Sequence, residues 1–137
     1  MQTLYKKTRK YNMLLSQTFS ITYYKDENDI VYIKDRFLLW TEYALLNKTD
    51  NIAIIAKKGL FRKKEQIGTI QDLIFRIDLD FITQPARSAF SLYCGTLILK
   101  DLRFQLVREY GVENIKQYFQ DFITFLDFEI KLEETVI

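Results

Sequence analysis

Two runs of cations are the residues of this chain best suited to chemistry. Lys6, Lys7, Arg9 and Lys10 stand between Tyr5 and Tyr11, and Lys57, Lys58, Arg62, Lys63 and Lys64 surround Gly59, Leu60 and Phe61. Clustered ammonium and guanidinium groups neutralise phosphates or carboxylates, and rings set among them offer nucleic-acid bases a surface on which to stack. The bland alternative is a solvated surface that also meets an acidic protein partner. The formal net charge of only +2 favours that alternative, because dedicated nucleic-acid-binding domains are usually strongly basic.

Other chemistry is scarce. Histidine is absent, which removes the commonest general acid-base and metal ligand. With one cysteine, Cys94, zinc sites of the usual kinds and histidine-dependent nucleophiles are excluded. The four glycines are too dispersed for a phosphate-binding loop. Asp26, Glu27 and Asp29 lack the spacing of a calcium loop. Asp78 and Asp80 share a strand face and are the only nominees for paired carboxylates; a solvated strand face explains them as well. No enzyme, metal or cofactor is therefore expected, and no small-molecule substrate is identified.

These residues need a scaffold, and the stretch from Ala86 to Tyr110 reads as its centre. Pro85 precedes it, Gly111 follows it, and Ala89, Phe90, Leu92, Tyr93, Cys94, Leu97, Ile98, Leu99, Leu102, Phe104 and Leu106 cover most of a helical wheel. The pattern predicts a long buried central helix. Glu113 to Thr124 predicts a second, amphipathic helix, and Asp35 to about Asn47 a third, with Trp40 as its anchor in the core. Leu4, Tyr11, Leu14 and Leu15 allow a short amphipathic helix at the N-terminus.

Strands are expected elsewhere. Thr18 to Tyr24 and Ile30 to Ile33 predict a hairpin across a polar turn, and Ile52 to Ala56 a strand buried on both faces. The basic run from Lys57 to Lys64 then forms a projecting loop or hairpin tip around Gly59. Leu73, Phe75, Ile77, Leu79 and Phe81 alternate with polar neighbours as in a strand with one wet face. From Leu126 the period changes again, and either a terminal strand or continued helix fits residues 126–136. The expected architecture is α+β: a mostly antiparallel sheet of about four to five strands, with the long central helix and two further helices packed on it.

At 137 residues the chain is expected to be a single domain, 1–137, with residues 1–12 as a basic N-terminal arm. Met1 to Lys10 is polar and no apolar run follows it, and Lys100, Asp101 and Arg103 break the longest apolar stretch, so neither a secretory signal nor a membrane span is expected. The lone cysteine suits the cytoplasm or another reducing intracellular compartment. Charge is uneven: residues 1–68 carry thirteen Lys/Arg against seven Asp/Glu, and residues 69–137 carry seven against eleven. Nine Tyr and eleven Phe are more rings than so small a core readily hides. The leading expectation is a non-enzymatic interaction or structural subunit of a larger protein assembly, viral or phage particles included, partnered by copies of itself or by other subunits. The alternative is a small nucleic-acid-binding or regulatory protein that uses the two basic clusters.

Overall fold

The computed structural model describes residues 3–8, 21–37, 39–79 and 92–134. Six strands run as an antiparallel meander in sequence order: β1 (Thr3–Thr8), β2 (Thr22–Asp26), β3 (Ile30–Phe37), β4 (Trp40–Asn47), β5 (Ile52–Lys58) and β6 (Lys63–Gly68). A turn of 3-10 helix (Ile70–Asp72) leads into a second sheet of β7 (Leu73–Leu79), β8 (Leu92–Leu99), β9 (Leu102–Tyr110) and β10 (Lys131–Glu134). Its order is β10-β7-β8-β9, with β10 parallel to β7 and the other pairs antiparallel. One helix, α1 (Val112–Leu126), follows β9.

Alternation and turn chemistry account for most of these elements. In β7, Leu73, Phe75, Ile77 and Leu79 are buried while Ile74, Arg76 and Asp78 are half-exposed. The β2–β3 turn closes on Asp26, whose carboxylate Oδ1 accepts from the N–H groups of Asn28 and Ile30, both at 2.9 Å. The β4–β5 turn closes on Asn47, which accepts from the Asp50 N–H at 3.0 Å, while Asn51 takes a left-handed φ of 56°.

Helix α1 fills the space between the two sheets at the β2 side. Its buried residues Ile115, Tyr118, Phe119, Phe122 and Leu126 form one stripe. Phe75 on β7 meets the rings of Tyr118, Phe119 and Phe122 at centroid distances of 6.2, 4.9 and 6.3 Å, and Tyr23 on β2 meets Phe122 edge-on at 6.2 Å. Two lysines of the first sheet reach the carbonyls at the helix C-terminus: Lys25 donates to Phe125 O at 3.1 Å and Lys48 to Asp127 O at 3.0 Å. Both complement the negative end of the helix dipole.

The α+β expectation is corrected: among the described residues the protein is mainly β, with two sheets and one α-helix. The long central helix is replaced by the β8–β9 hairpin, in which Leu99 pairs with Leu102 across Lys100 and Asp101. A strand buried on both faces has apolar residues at every phase and so covers a helical wheel as fully as a buried helix does. Pro85 and residues 86–91 lie outside the described residues. The helix proposed for Asp35 to Asn47 is the end of β3 and all of β4, paired on both sides. The N-terminal residues Thr3–Thr8 pair with β2 as a strand, and Tyr11, Leu14 and Leu15 lie outside the described residues. At the C-terminus Leu126 ends α1, Asp127 closes it at φ 64°, and pairing resumes only at Lys131, within the same chain. No helix among the described residues is long and apolar enough to cross a membrane.

Candidate functional site

Two chain reversals stand side by side at one end of the six-stranded sheet. In the first, Phe37 pairs with Trp40 and Leu39 lies in the turn. In the second, Lys58 pairs with Lys63, and the loop is closed by the Gly59 N–H donating to Arg62 O at 2.7 Å. They are neighbours because Thr41 of β4 pairs with Lys58 of β5. The Trp40 ring lies on Gly59, where an added Cβ would come within 3.0 Å of Trp40 Cζ3. Glycine is needed there for close approach.

The apolar side chains of these reversals face water. Leu39 is 67%, Trp40 51%, Leu60 65% and Phe61 91% exposed. Together with Gly59 and Arg62 they line an apolar cleft of about 230 Å³. Trp40 as a core anchor is thus corrected: its strand position lies past the end of the core, which closes at Ala44 on the same strand face. Sequence reasoning missed Leu39 and Trp40 as surface residues because Phe37-Leu38-Leu39-Trp40 carries no glycine, asparagine or proline to mark a turn.

The second basic cluster flanks these reversals in sequence, but only Arg62 of it lines the cleft, and its lysines divide between the two sheet faces. Lys57 is directly opposite Lys64, and Lys58 directly opposite Lys63. Like charges facing each other across strands oppose pairing, so both couples cost stability. Carboxylates relieve part of this: Glu42 meets Lys57 and Glu65 meets Lys63, each at 3.6 Å. Burial pushes the Glu42 carboxyl above its ordinary range, Lys57 opposes that rise, and Asp35 adds to it. Lys58, Arg62 and Lys64 have no carboxylate partner among the described residues. Of the three, Arg62 lines the cleft, and Lys58 shares the face of Thr41, opposite to that of Trp40.

The first cluster is elsewhere. Lys6 and Lys7 lie on β1 as the register partners of Tyr24 and Tyr23, at the sheet edge opposite β6. Arg9 and Lys10 lie outside the described residues. The two clusters do not form one continuous patch on adjacent strands. Of the carboxylate nominees, Asp78 is half-buried on β7 opposite Cys94 of β8, which moves that cysteine from the expected helix to a strand, and Asp80 lies outside the described residues. Among the described residues no three His, Cys, Asp or Glu side chains stand together as metal ligands. No family model, curated protein or solved structure matches this chain.

Proposed function

We propose that this chain is a non-enzymatic interaction protein that docks on another protein through the paired hairpin tips. The observation that carries the reading is the convergence of Leu39, Trp40, Leu60 and Phe61, all more than half exposed, on one cleft. Contiguous apolar surface rimmed by charge marks an interaction site. A cleft of about 230 Å³ accepts one large side chain, and its walls include an aromatic ring on each tip. Arg62, in the cleft wall, then meets a carboxylate beside that side chain. The partner is thus an apolar anchor residue flanked by Asp or Glu. The absence of histidine supports the non-enzymatic half of the reading, and the single cysteine suits a reducing intracellular setting.

Trp40 is the only tryptophan, so its fluorescence reports on the cleft directly. The probe is a synthetic peptide with one Phe or Leu between Asp and Glu residues. Saturable binding, a blue shift and protection from acrylamide quenching are expected, all lost in Phe61→Ser. Anionic vesicles of phosphatidylserine and phosphatidylcholine serve as the rival probe. A blue shift with vesicles and none with the peptide overturns the protein-docking reading.

A further inference from the structure

The outward face of the six-stranded sheet carries a second surface. Strand register places its residues in rows that cross the sheet. One row runs Tyr24, Tyr32, Leu45, Ile54 and Ile67, each the direct partner of the next. The next row runs Lys34, Tyr43, Ala56 and Glu65, and the one after it Arg36, Thr41, Lys58 and Lys63. The alternate residues, such as Tyr23, Ile33, Ala44 and Ile55, point into the core and are fully buried. The two-residue period of the strands thus brings Tyr32, Tyr43, Lys34 and Lys58 to one side.

Between the rows lies an open groove of about 530 Å³ lined by Tyr24, Tyr32, Ile33, Lys34, Thr41, Tyr43 and Lys58. Tyr24 and Tyr32 are direct cross-strand neighbours, and Tyr43 is diagonal to Tyr32. Among the described residues, neither Lys34 nor Lys58 has a carboxylate partner and no carboxylate lines the groove. The neighbouring Glu65 is held by Lys63 at 3.6 Å and by the Tyr43 hydroxyl at 3.4 Å. Burial and the nearby Asp26 hold the Tyr32 phenol above its ordinary range, so its ring adds no negative charge. Among the described residues the lining reaches Tyr24 of β2, whose register partner on β1 is Lys6.

We infer that this groove binds single-stranded nucleic acid, with bases stacked on Tyr32 and Tyr43 and phosphates against Lys34 and Lys58. Half-exposed rings on adjacent strands form a stacking platform, and unpaired lysines between them supply the charge that a sugar-phosphate backbone requires. A duplex keeps its bases stacked on one another and has none to offer the rings. An acidic peptide satisfies the lysines and leaves the flat faces of Tyr32 and Tyr43 without a matching partner. The surface is distinct from the hairpin-tip cleft, and the two readings fail independently.

The test is fluorescence anisotropy of a short fluorescein-labelled oligothymidylate over a series of salt concentrations, with a duplex of equal length and polyglutamate as competitors. Wild-type protein is expected to bind at low salt and release at high salt. The double variant Tyr32→Leu, Tyr43→Leu is expected to weaken binding about tenfold or more with little change in salt slope. Tyr32→Phe with Tyr43→Phe keeps both rings and is expected to bind as wild type, which separates stacking from folding. Lys34→Gln with Lys58→Gln is expected to flatten the plot of log affinity against log salt by about 1.4. Phe61→Ser is expected to bind as wild type. No binding at low salt, unchanged binding in the Leu variant, or equal competition by the duplex or polyglutamate each overturns the inference.

Discussion

The hydroxyls of Tyr23 and Tyr118 share a hydrogen bond in the core, although the residues lie 95 positions apart in the chain. Tyr23 is 1% and Tyr118 2% exposed, so the bond ties β2 to α1 away from bulk water. A buried hydroxyl that loses its partner keeps the cost of leaving water. Tyr23→Phe and Tyr118→Phe are each expected to destabilise the protein by about 1 kcal/mol. The double variant should lose less than the sum of the two, with a coupling of about 0.5 kcal/mol or more. Urea titrations of the four proteins measure it, and strict additivity rejects the link.

Gly95 controls how closely α1 approaches the second sheet. A Cβ there would meet Phe75 Cζ at 2.6 Å, Val107 Cγ1 at 2.7 Å and Ile115 Cγ2 at 3.1 Å. Phe75 and Ile115 are fully buried, so neither can move aside without disturbing the core. Gly95→Ala is expected to cost about 1–3 kcal/mol, by overpacking and not by backbone strain. A shifted denaturation midpoint with an unchanged slope is the expected signature, and wild-type stability in the variant rejects the close contact.

Asp72 gives the fold a pH dependence of known sign. The Thr69 N–H donates to its Oδ2 at 2.9 Å, and this bond, the Thr69 side chain and the charge of Lys100 hold the carboxyl below its ordinary value of 3.8. A carboxyl depressed on folding adds stability that is present above its unfolded pKa and is lost as pH falls through its folded one. Wild type and Asp72→Asn should therefore differ in melting temperature near neutral pH and converge below about pH 4. A gap that is constant down to low pH assigns the effect to something other than this ionisation.

How much of this was legible in the sequence differs by element, for physical reasons. The alternation of Leu73, Phe75, Ile77 and Leu79 and the helical spacing of Ile115, Tyr118, Phe119 and Phe122 stand out because each element buries one face. The β8–β9 hairpin did not, because β8 is buried along Gly95 to Leu99 without a break. The clue was in β9, where exposed Arg103 and Gln105 separate buried Leu102, Phe104 and Leu106. The basic residues around Gly59 were legible as a cluster, and their division between two faces follows only from register. Tyr24, Tyr32 and Tyr43 were individually unremarkable; cross-strand pairing alone puts them on one surface. Exposure of Trp40 has no local signature, since it depends on where the neighbouring strand turns.

Phe61 and Phe75 are the same residue type under opposite constraints. Phe75 is fully buried among three aromatic rings of α1, and Phe75→Ala is expected to cost about 3–5 kcal/mol. Phe61 is 91% exposed, and Phe61→Ser is expected to leave stability within about 0.5 kcal/mol of wild type. Parallel urea titrations of both variants measure the contrast. Such stability would leave the exposed ring, set beside Arg62, available for the proposed docking. If Phe61→Ser instead destabilises the protein by more than about 1 kcal/mol, the ring is packed in solution and the hairpin-tip cleft loses its role as a docking site.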